Sequence, residues 1–258
     1  MGSEALDPVR VLLSTYVFQD LSPAEVEPLA KTVRARDYRR GEYLFRAGDA
    51  ADFLHVVAAG QIKNSMTTSE GDEFIYDVLT HGGVFREPGI FSREHNRVLD
   101  AVAMERSTVI DIPREQLIDF MQRHRPVMMR ILEGLASQAR EPIETVTDIG
   151  YTQIRERVVR KLLQLATTHG LELEDDSVEI TLTVSQTTLA GLVGATRENV
   201  NRALSTLTAD GDLRLVQGRI VIPDIAALRA KADRGIPMLH RRNLTRDESA
   251  RRRDAAAE

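Results

Sequence analysis

Residues 183–222 constrain the fold of this chain more than any other stretch, because two apolar patterns of helical spacing meet there across a short break. The apolar positions are Leu189, Leu192 and Val193 before the break, and Val200, Ala203, Leu204 and Leu207 after it. Gly194 lies in the break and can adopt the left-handed backbone that a tight turn needs, while Thr196 is a good N-cap for the second helix. The stretch therefore predicts a helix-turn-helix.

Two short β-rich runs follow, at 213–216 and 219–222, and only Gln217 and Gly218 separate them. A two-residue loop that contains glycine suits a tight β-hairpin. The pattern therefore adds a wing to the helix-turn-helix.

The second predicted helix carries its polar residues opposite its apolar face, and these are Arg197, Glu198, Asn201, Arg202 and Ser205. Arginine can bond guanine O6 and N7, glutamate can accept from the cytosine amino group, and a recognition helix enters the major groove by its N-terminal turns. A charged face is also common on helices that merely face solvent. The combination with a glycine turn, a cap and a wing favours the reading of double-stranded DNA.

The run 194–202, GATRENVNR, resembles the G-x-[ST]-R-E-x-V-x-R recognition helix of the cyclic AMP receptor protein branch of the CRP/FNR regulators. The resemblance implies base contacts from the second helix and DNA-backbone contacts from the start of the first. The former fall to Arg197, Glu198 and Arg202, the latter to Ser185, Gln186 and Thr187, and Thr196 and Asn201 complete the predicted DNA-binding set. The same resemblance predicts a TGTGA half-site, repeated in inverted order for a dimer.

Charge and cysteine content limit the other classes of function. The net charge is −5, but residues 151–258 carry 17 basic and 15 acidic residues against 17 and 24 in residues 1–150, so the half with the helix-turn-helix is the more basic one. The absence of cysteine excludes a thiolate-bound iron–sulfur cluster, a cysteine-ligated haem and thiol redox sensing. No signal peptide or membrane-length apolar run is evident, so we expect a cytoplasmic protein with no membrane partner.

Residues 36–111 predict an all-β roll or barrel, because short β-rich runs alternate with glycine turns. The runs 41–49 and 56–63 resemble the opening of a cyclic-nucleotide-binding β-roll, which extends the family resemblance over about residues 10–225. The fold class predicted for the whole chain is therefore α+β.

The effector pocket departs from the family pattern F-G-E-x-x-L…R-[ST]-A, which here reads 84–91 and then 97–99. Glu87 and Arg97 match, but Arg86 replaces the glycine and Val98 replaces the small hydroxyl residue. Arg86, Glu87 and Arg97 are the effector-pocket candidates. Three alternatives stay open: a structural Glu87–Arg97 ion pair that closes the pocket, a different anion held by the arginines, or cyclic AMP itself, which the departures disfavour. The effector is unidentified, and no metal-ligand spacing is present.

A long helix predicted from about 126 to 150 carries an apolar seam at 3,4 spacing, which is typical of a coiled-coil dimer. The dimer-interface residues are Leu132, Leu135, Ala139, Val146 and Ile149, with Pro142 between them. A second stripe at Val127, Ile131 and Ile143 is available to pack on the roll. The alternative is that the seam itself packs on its own roll.

The predicted organisation has four parts: a sensory β-roll with N-terminal helices at 1–125, a dimerisation helix and hinge at 126–150, a winged helix-turn-helix domain at 151–235, and an arginine-rich, disordered tail at 236–258. The predicted function is a homodimeric transcription regulator of the CRP/FNR type, which also makes RNA polymerase a candidate partner. The alternatives are a cyclic-AMP-responsive regulator with an altered pocket and a protein-interaction module that no longer reads DNA. An enzyme is disfavoured, because the six histidines are scattered and no catalytic grouping stands out.

Overall fold

The computed structural model describes residues 6–69, 73–85, 88–151, 153–216 and 218–232, and for 139–151 the backbone alone. It divides into two compact units, residues 1–143 and 144–258. Arg86, Glu87 and the predicted tail at 236–258 lie outside the described residues.

The first unit begins with two short helices, α1 (Pro8–Leu13) and α2 (Pro23–Ala30). A capping box begins α2: the Glu25 carboxylate accepts from the Ser22 backbone N–H at 2.8 Å and from the Ser22 hydroxyl at 2.6 Å. These two hydrogen bonds lower the pKa of Glu25. Such a capping box satisfies backbone donors that the first turn would otherwise leave unpaired.

The β-roll of the first unit consists of two antiparallel sheets. One has the order β1 (Arg34–Tyr38), β7 (Ser107–Pro113), β3 (Phe53–Ala59), and the other has the order β2 (Tyr43–Phe45), β6 (Asp100–Ala103), β4 (Ile62–Thr67), β5 (Glu73–Leu79). The predicted roll is thus confirmed. Gly60 shows why its turns are so rich in glycine: its φ is +84°, and a Cβ there would lie 2.6 Å from the Arg106 carbonyl oxygen.

Two helices close the roll, α3 (Arg114–Arg123) and α4 (Arg125–Tyr151). Val127 and Ile131 of α4 are buried in the core cluster that also contains α1, α2 and β3 residues, so these two positions of the stripe predicted to pack on the roll do so, while the side chain of Ile143 lies outside the described residues. Residues 149–151, at the end of the predicted dimerisation helix and hinge, form the last turn of α4.

The second unit contains α5 (Ile154–His169), β8 (Gly170–Glu172), β9 (Val178–Ile180), α6 (Gln186–Val193), α7 (Arg197–Ala209), β10 (Arg214–Val216), β11 (Arg219–Ile222) and α8 (Ile225–Ala232). The predicted helix-turn-helix is α6 and α7, and the predicted wing is β10 and β11. Strands β8 and β9, which the sequence analysis missed, extend the wing into an antiparallel sheet of order β10-β11-β9-β8. Among the described residues, no helix combines the length and the apolar character needed to cross a membrane.

Candidate DNA-reading surface and effector pocket

The turn between α6 and α7 is built by local hydrogen bonds and one left-handed residue. The Ser185 hydroxyl accepts from the Thr188 backbone N–H at 3.0 Å and caps α6, and the Thr196 hydroxyl accepts from the Asn199 N–H at 3.3 Å and caps α7. Gly194 ends α6 with φ 60° and ψ 50°, as its place in the break predicted. From α5, the Arg157 guanidinium also donates to the Gly194 carbonyl oxygen at 3.3 Å. The turn is therefore fixed before any partner binds.

The buried apolar face of α7 determines which of its side chains reach solvent. Val200 and Leu207 are fully buried, and Leu204 is 6% exposed. The five polar residues on the opposite side are all exposed: Arg197, Glu198, Asn201, Arg202 and Ser205. Burial of each of these three aliphatic side chains stabilises the fold by about 1.5–3 kcal/mol. This fixes the orientation of α7 about its own axis, so the polar face stays on the outside.

Two contacts organise that exposed face. The Arg202 guanidinium donates to the Glu198 carboxylate at 3.1 Å, one helical turn away. The Gln186 side-chain amide donates to the Asn201 side-chain oxygen at 3.1 Å and so joins α6 to α7. Both Arg202 and Glu198 are exposed, so their pair contributes only about 0.3–0.5 kcal/mol and can be exchanged for base contacts.

The structure gives the three residues at the start of α6 different surroundings. The Ser185 hydroxyl is already engaged in the cap and lies 2.8 Å from the Thr188 hydroxyl. Gln186 contacts Asn201, whereas Thr187 is exposed. A DNA-backbone contact from each of the three stays a prediction.

Each of the two arginines in the wing strands forms an ion pair with an acidic residue of the same unit. Arg214 contacts Asp175 at 2.9 Å, and Arg219 forms an ion pair with Glu179 of β9. The Ser177 hydroxyl and then Arg214 lower the pKa of Asp175 to about 2. The acidic loop at 172–176 therefore neutralises part of the wing, while Leu215 and Val216 stay exposed.

Arg97 is the effector-pocket candidate that lies within the described residues, and it is buried. Only 3% of it is exposed, its guanidinium donates to the Phe53 carbonyl oxygen at 2.6 Å, and its charge lies 4.2 Å from the centre of the Phe45 ring. The same guanidinium is 3.0 Å from His55 Nε2. These contacts fix Arg97 within the roll.

His55 of β3 and Asp111 of β7 connect Arg97 to the β1-β7-β3 sheet, and neither was found from the sequence. His55 Nδ1 lies 2.7 Å from the Asp111 carboxylate, which also pairs with Arg36 at 2.9 Å. Arginine has no acceptor, so His55 Nε2 must accept from Arg97 and His55 Nδ1 must carry the proton. Burial, followed by the nearby charge of Arg97, lowers the pKa of His55, which agrees with a neutral ring.

The cavity in the roll beside α4 is very small. Its volume is about 10 Å³. It is lined by Asn64, Tyr76, Asp77, Leu79, Val84, Leu99 and Gln138. A space of that size holds about one water molecule, whereas small-molecule pockets measure roughly 300–1,000 Å³. Val98, at the position of the family's small hydroxyl residue, is 54% exposed.

A larger cavity of about 380 Å³ lies in the second unit among α5, α7 and α8. Its rim charges pair with the protein itself, since Arg155 contacts Asp210 and Lys231 contacts Asp212, each at 2.5 Å. None of its lining residues belongs to the predicted DNA or effector sets.

The predicted dimer seam is only partly exposed. Leu132 is 50% exposed and its neighbour Met129 is 43% exposed. Leu135 is half-buried and packs against the core of its own unit, and its place in a partner interface stays a prediction. The side chains of Ala139, Val146 and Ile149 lie outside the described residues.

Comparison with known proteins identifies two family models in the chain. Residues 35–124 match a cyclic nucleotide-binding domain, and residues 156–231 match a Crp-like helix-turn-helix domain. The chain is 27% identical over 223 residues to a CRP-like cAMP-activated global transcriptional regulator of Mycobacterium tuberculosis, covering 86% of this chain and 99% of that protein. It is also 27% identical over 212 residues to the Cyclic AMP receptor protein of Thermus thermophilus, covering 82% and 94%.

A solved structure shows the same fold at lower identity. A CooA mutant from Carboxydothermus hydrogenoformans superposes with a TM-score of 0.69 at 19% identity, covering 86% of this chain and 95% of that one. The match extends over a β-roll and a helix-turn-helix within one polypeptide.

Proposed function

This chain belongs to the CRP/FNR family of transcription regulators, which are not enzymes, and we propose that it acts as a homodimer on a palindromic DNA site without control by cyclic AMP. The observation that carries the proposal is the polar face of α7. There, Arg197, Glu198 and Arg202 are exposed on a helix whose opposite face is buried.

The side chains of α7 suit a particular base sequence. Arg197 and Arg202 can each bond a guanine bidentately, and Glu198 can accept from the cytosine paired to one of them. A G-x-G core in each half-site follows, and the family resemblance favours TGTGA. The ion pair between Glu198 and Arg202 positions both side chains for this exchange at a small energetic cost.

The homodimer rests on α4. Leu132 and Met129 present apolar surface on a long helix whose other stripe is already buried. Two-fold pairing through this surface would bury it, and a two-fold symmetric dimer suits an inverted repeat of half-sites about one helical turn apart. The proposed interface is Leu132 with the seam positions Leu135, Ala139, Val146 and Ile149, of which Leu135 also serves its own core.

The proposed independence from cyclic AMP rests on the roll. Among the described residues of the roll, the cavity of about 10 Å³ beside α4 has no room for a nucleotide, and the Arg97 guanidinium donates to Phe53 and His55 of its own unit. Arg86 would place a long side chain where a cyclic phosphate needs bare backbone N–H groups. The competing proposal is a cyclic-AMP-responsive regulator, since the relative from Mycobacterium tuberculosis is named as cAMP-activated.

The proposed cellular compartment and macromolecular partners follow from membership of the family. A transcription regulator of this type acts in the cytoplasm, where its double-stranded DNA is. RNA polymerase is then the second macromolecular partner that we propose for it.

The proposal is tested by fluorescence anisotropy of the full-length protein with two duplexes, one that carries TGTGA as an inverted repeat and one of the same composition in scrambled order. We expect affinity for the palindrome to exceed that for the scrambled duplex by roughly 10³-fold or more, and both affinities to fall as salt rises. Equal affinities would show that the helix-turn-helix no longer reads sequence.

A matched arginine variant distinguishes the loss of a base contact from the general loss of a positive charge. Arg197→Ala removes one positive charge from α7, and Arg229→Ala removes one from the exposed surface of α8. Arg197→Ala should reduce affinity for the palindrome by about 1–3 kcal/mol, whereas Arg229→Ala should lower affinity for both duplexes slightly and equally.

A further inference from the structure

The contact between Gln186 and Asn201 gives Gln186 a role that differs from a contact with the DNA backbone. Gln186 is the first residue of α6, and Asn201 lies in the second turn of α7, four residues after Arg197 and on the same exposed face. The Gln186 Nε2 group donates to Asn201 Oδ1 at 3.1 Å. A side chain that is bonded to the reading helix is not disposed to act on phosphate alone.

The hydrogen bond also determines which end of the Asn201 amide faces outward. The terminal torsion of asparagine is broad and roughly two-fold, so a free side chain can present either its oxygen or its NH₂ group. With Oδ1 accepting from Gln186, the NH₂ group of Asn201 is the end left to meet a partner. In this arrangement Gln186 is the donor of the pair, and the Asn201 NH₂ group is presented outward as a hydrogen-bond donor.

We infer that Gln186 is a positioning residue that orients the Asn201 amide to donate to a base edge, so that the pair determines specificity at one position of each half-site. The inference rests on the proposed DNA reading by α7. In the major groove, guanine, adenine and thymine each present an acceptor to such a donor, whereas cytosine presents only its amino group. The pair should therefore discriminate against cytosine at the base that faces Asn201.

If Gln186 orients Asn201, the effect of replacing Gln186 on binding depends on the base sequence of the DNA. A phosphate contact weakens binding to all sequences alike, because the phosphate backbone carries no base information. A positioning residue changes the preference at the same base as the residue it orients. Thr187, which is exposed beside Gln186, is the matched control for a contact of the first kind.

The test is a binding selection by the full-length protein at one salt concentration, with duplexes randomised around the site preferred by the wild type. Asn201→Ala and Gln186→Ala should each relax the discrimination against cytosine at one and the same position, by about 5-fold, the equivalent of one neutral hydrogen bond. The double variant should relax it no further, because the two residues act as one unit. Thr187→Ala should lower affinity for every sequence by one common factor.

Gln186→Glu should reverse the orientation of the Asn201 amide and with it the base preference, an effect that a purely structural role of Gln186 would not produce. A carboxylate only accepts, so it would bond the Asn201 NH₂ group and turn Oδ1 outward. An outward oxygen accepts from an amino group, so this variant should shift the preference at that position away from guanine and thymine and towards cytosine and adenine. Its added negative charge will also lower affinity for all sequences, which leaves the preference itself as the readout.

Three results would overturn the inference while the wild type still selects a site: Gln186→Ala behaves like Thr187→Ala, the two alanine variants act at different positions, or Gln186→Glu lowers affinity without changing the preference. A wild type that selects no sequence at all would instead overturn the proposed function, and this inference with it. Circular dichroism of each variant checks that the fold is retained.

Discussion

Replacement of His55 by phenylalanine tests whether the buried polar network of the β-roll holds Arg97 in place. His55 is 5% exposed and lies between the Asp111 carboxylate, at 2.7 Å, and the Arg97 guanidinium, at 3.0 Å. A phenylalanine ring fills similar space but neither donates nor accepts. Asp111 would lose one donor and Arg97 one acceptor, both in the protein interior.

The magnitude follows from those two lost contacts. A hydrogen bond to a charged group contributes about 1.5–3 kcal/mol, so the two losses amount to roughly 3–6 kcal/mol of unfolding free energy. Asp111 keeps its ion pair with Arg36, and Arg97 keeps its bond to the Phe53 carbonyl oxygen, which prevents a larger effect. Amide hydrogen exchange in β3 and β7 measures the stability of the first unit separately from the second.

His55→Gln is the matched control, because its amide can donate to Asp111 and accept from Arg97. We expect it to cost only about 1–2 kcal/mol, the rotamer freedom that a longer side chain gives up on burial. If the phenylalanine and glutamine variants are equally stable, the network does not hold Arg97 and the reasoning is wrong.

Three further predictions concern pH, the dimer and the effector. Burial and Arg97 lower the pKa of native His55, whereas a histidine in the unfolded chain titrates near 6.5, so between these values the unfolded state binds the extra proton. The contribution of His55 to stability should be fully present above about pH 6.5 and decline by up to about 1.4 kcal/mol per pH unit below it, and urea titrations of His55→Gln should lack that component. Leu132→Glu should give a monomer by sedimentation that no longer binds the palindrome tightly, because two like charges would meet in an apolar interface, and a wild type that is monomeric at micromolar concentration would contradict the proposed seam. Calorimetry should detect no submicromolar binding of cyclic AMP, and a large gain in DNA affinity on its addition would refute the same prediction, since linkage is reciprocal.

The helix-turn-helix could be predicted in detail because its determinants are local. Apolar spacing gave the buried faces, and Gly194 and Thr196 gave the turn and the cap within three residues of each other. The β-roll was predictable as a class for a similar reason, since glycine turns and β-rich runs are local signals. Strands β8 and β9 were missed because each has only three residues and the loop between them, 173–177, contains no glycine to mark a hairpin.

Features that depend on contacts between distant parts of the chain were not predictable. His55 and Asp111 are 56 residues apart in sequence, and antiparallel pairing of β3 with β7 places them opposite each other. Leu135 fits the heptad seam by spacing, yet it packs against its own core, because spacing alone cannot say which of two adjacent helix faces meets the roll. The contact of Gln186 with Asn201 likewise depends on the angle between two helices.

The central claim is that α7 reads bases, and the most direct measurement is a binding-site selection on the wild type and the Arg202→Ala variant at one fixed salt concentration. We predict that the wild type selects an inverted repeat with a G-x-G core and that the variant selects the same repeat with the preference at one base per half-site relaxed by about 1–3 kcal/mol. Selection of the same motif with equal stringency by both proteins would show that Arg202 does not read a base and would contradict the claim.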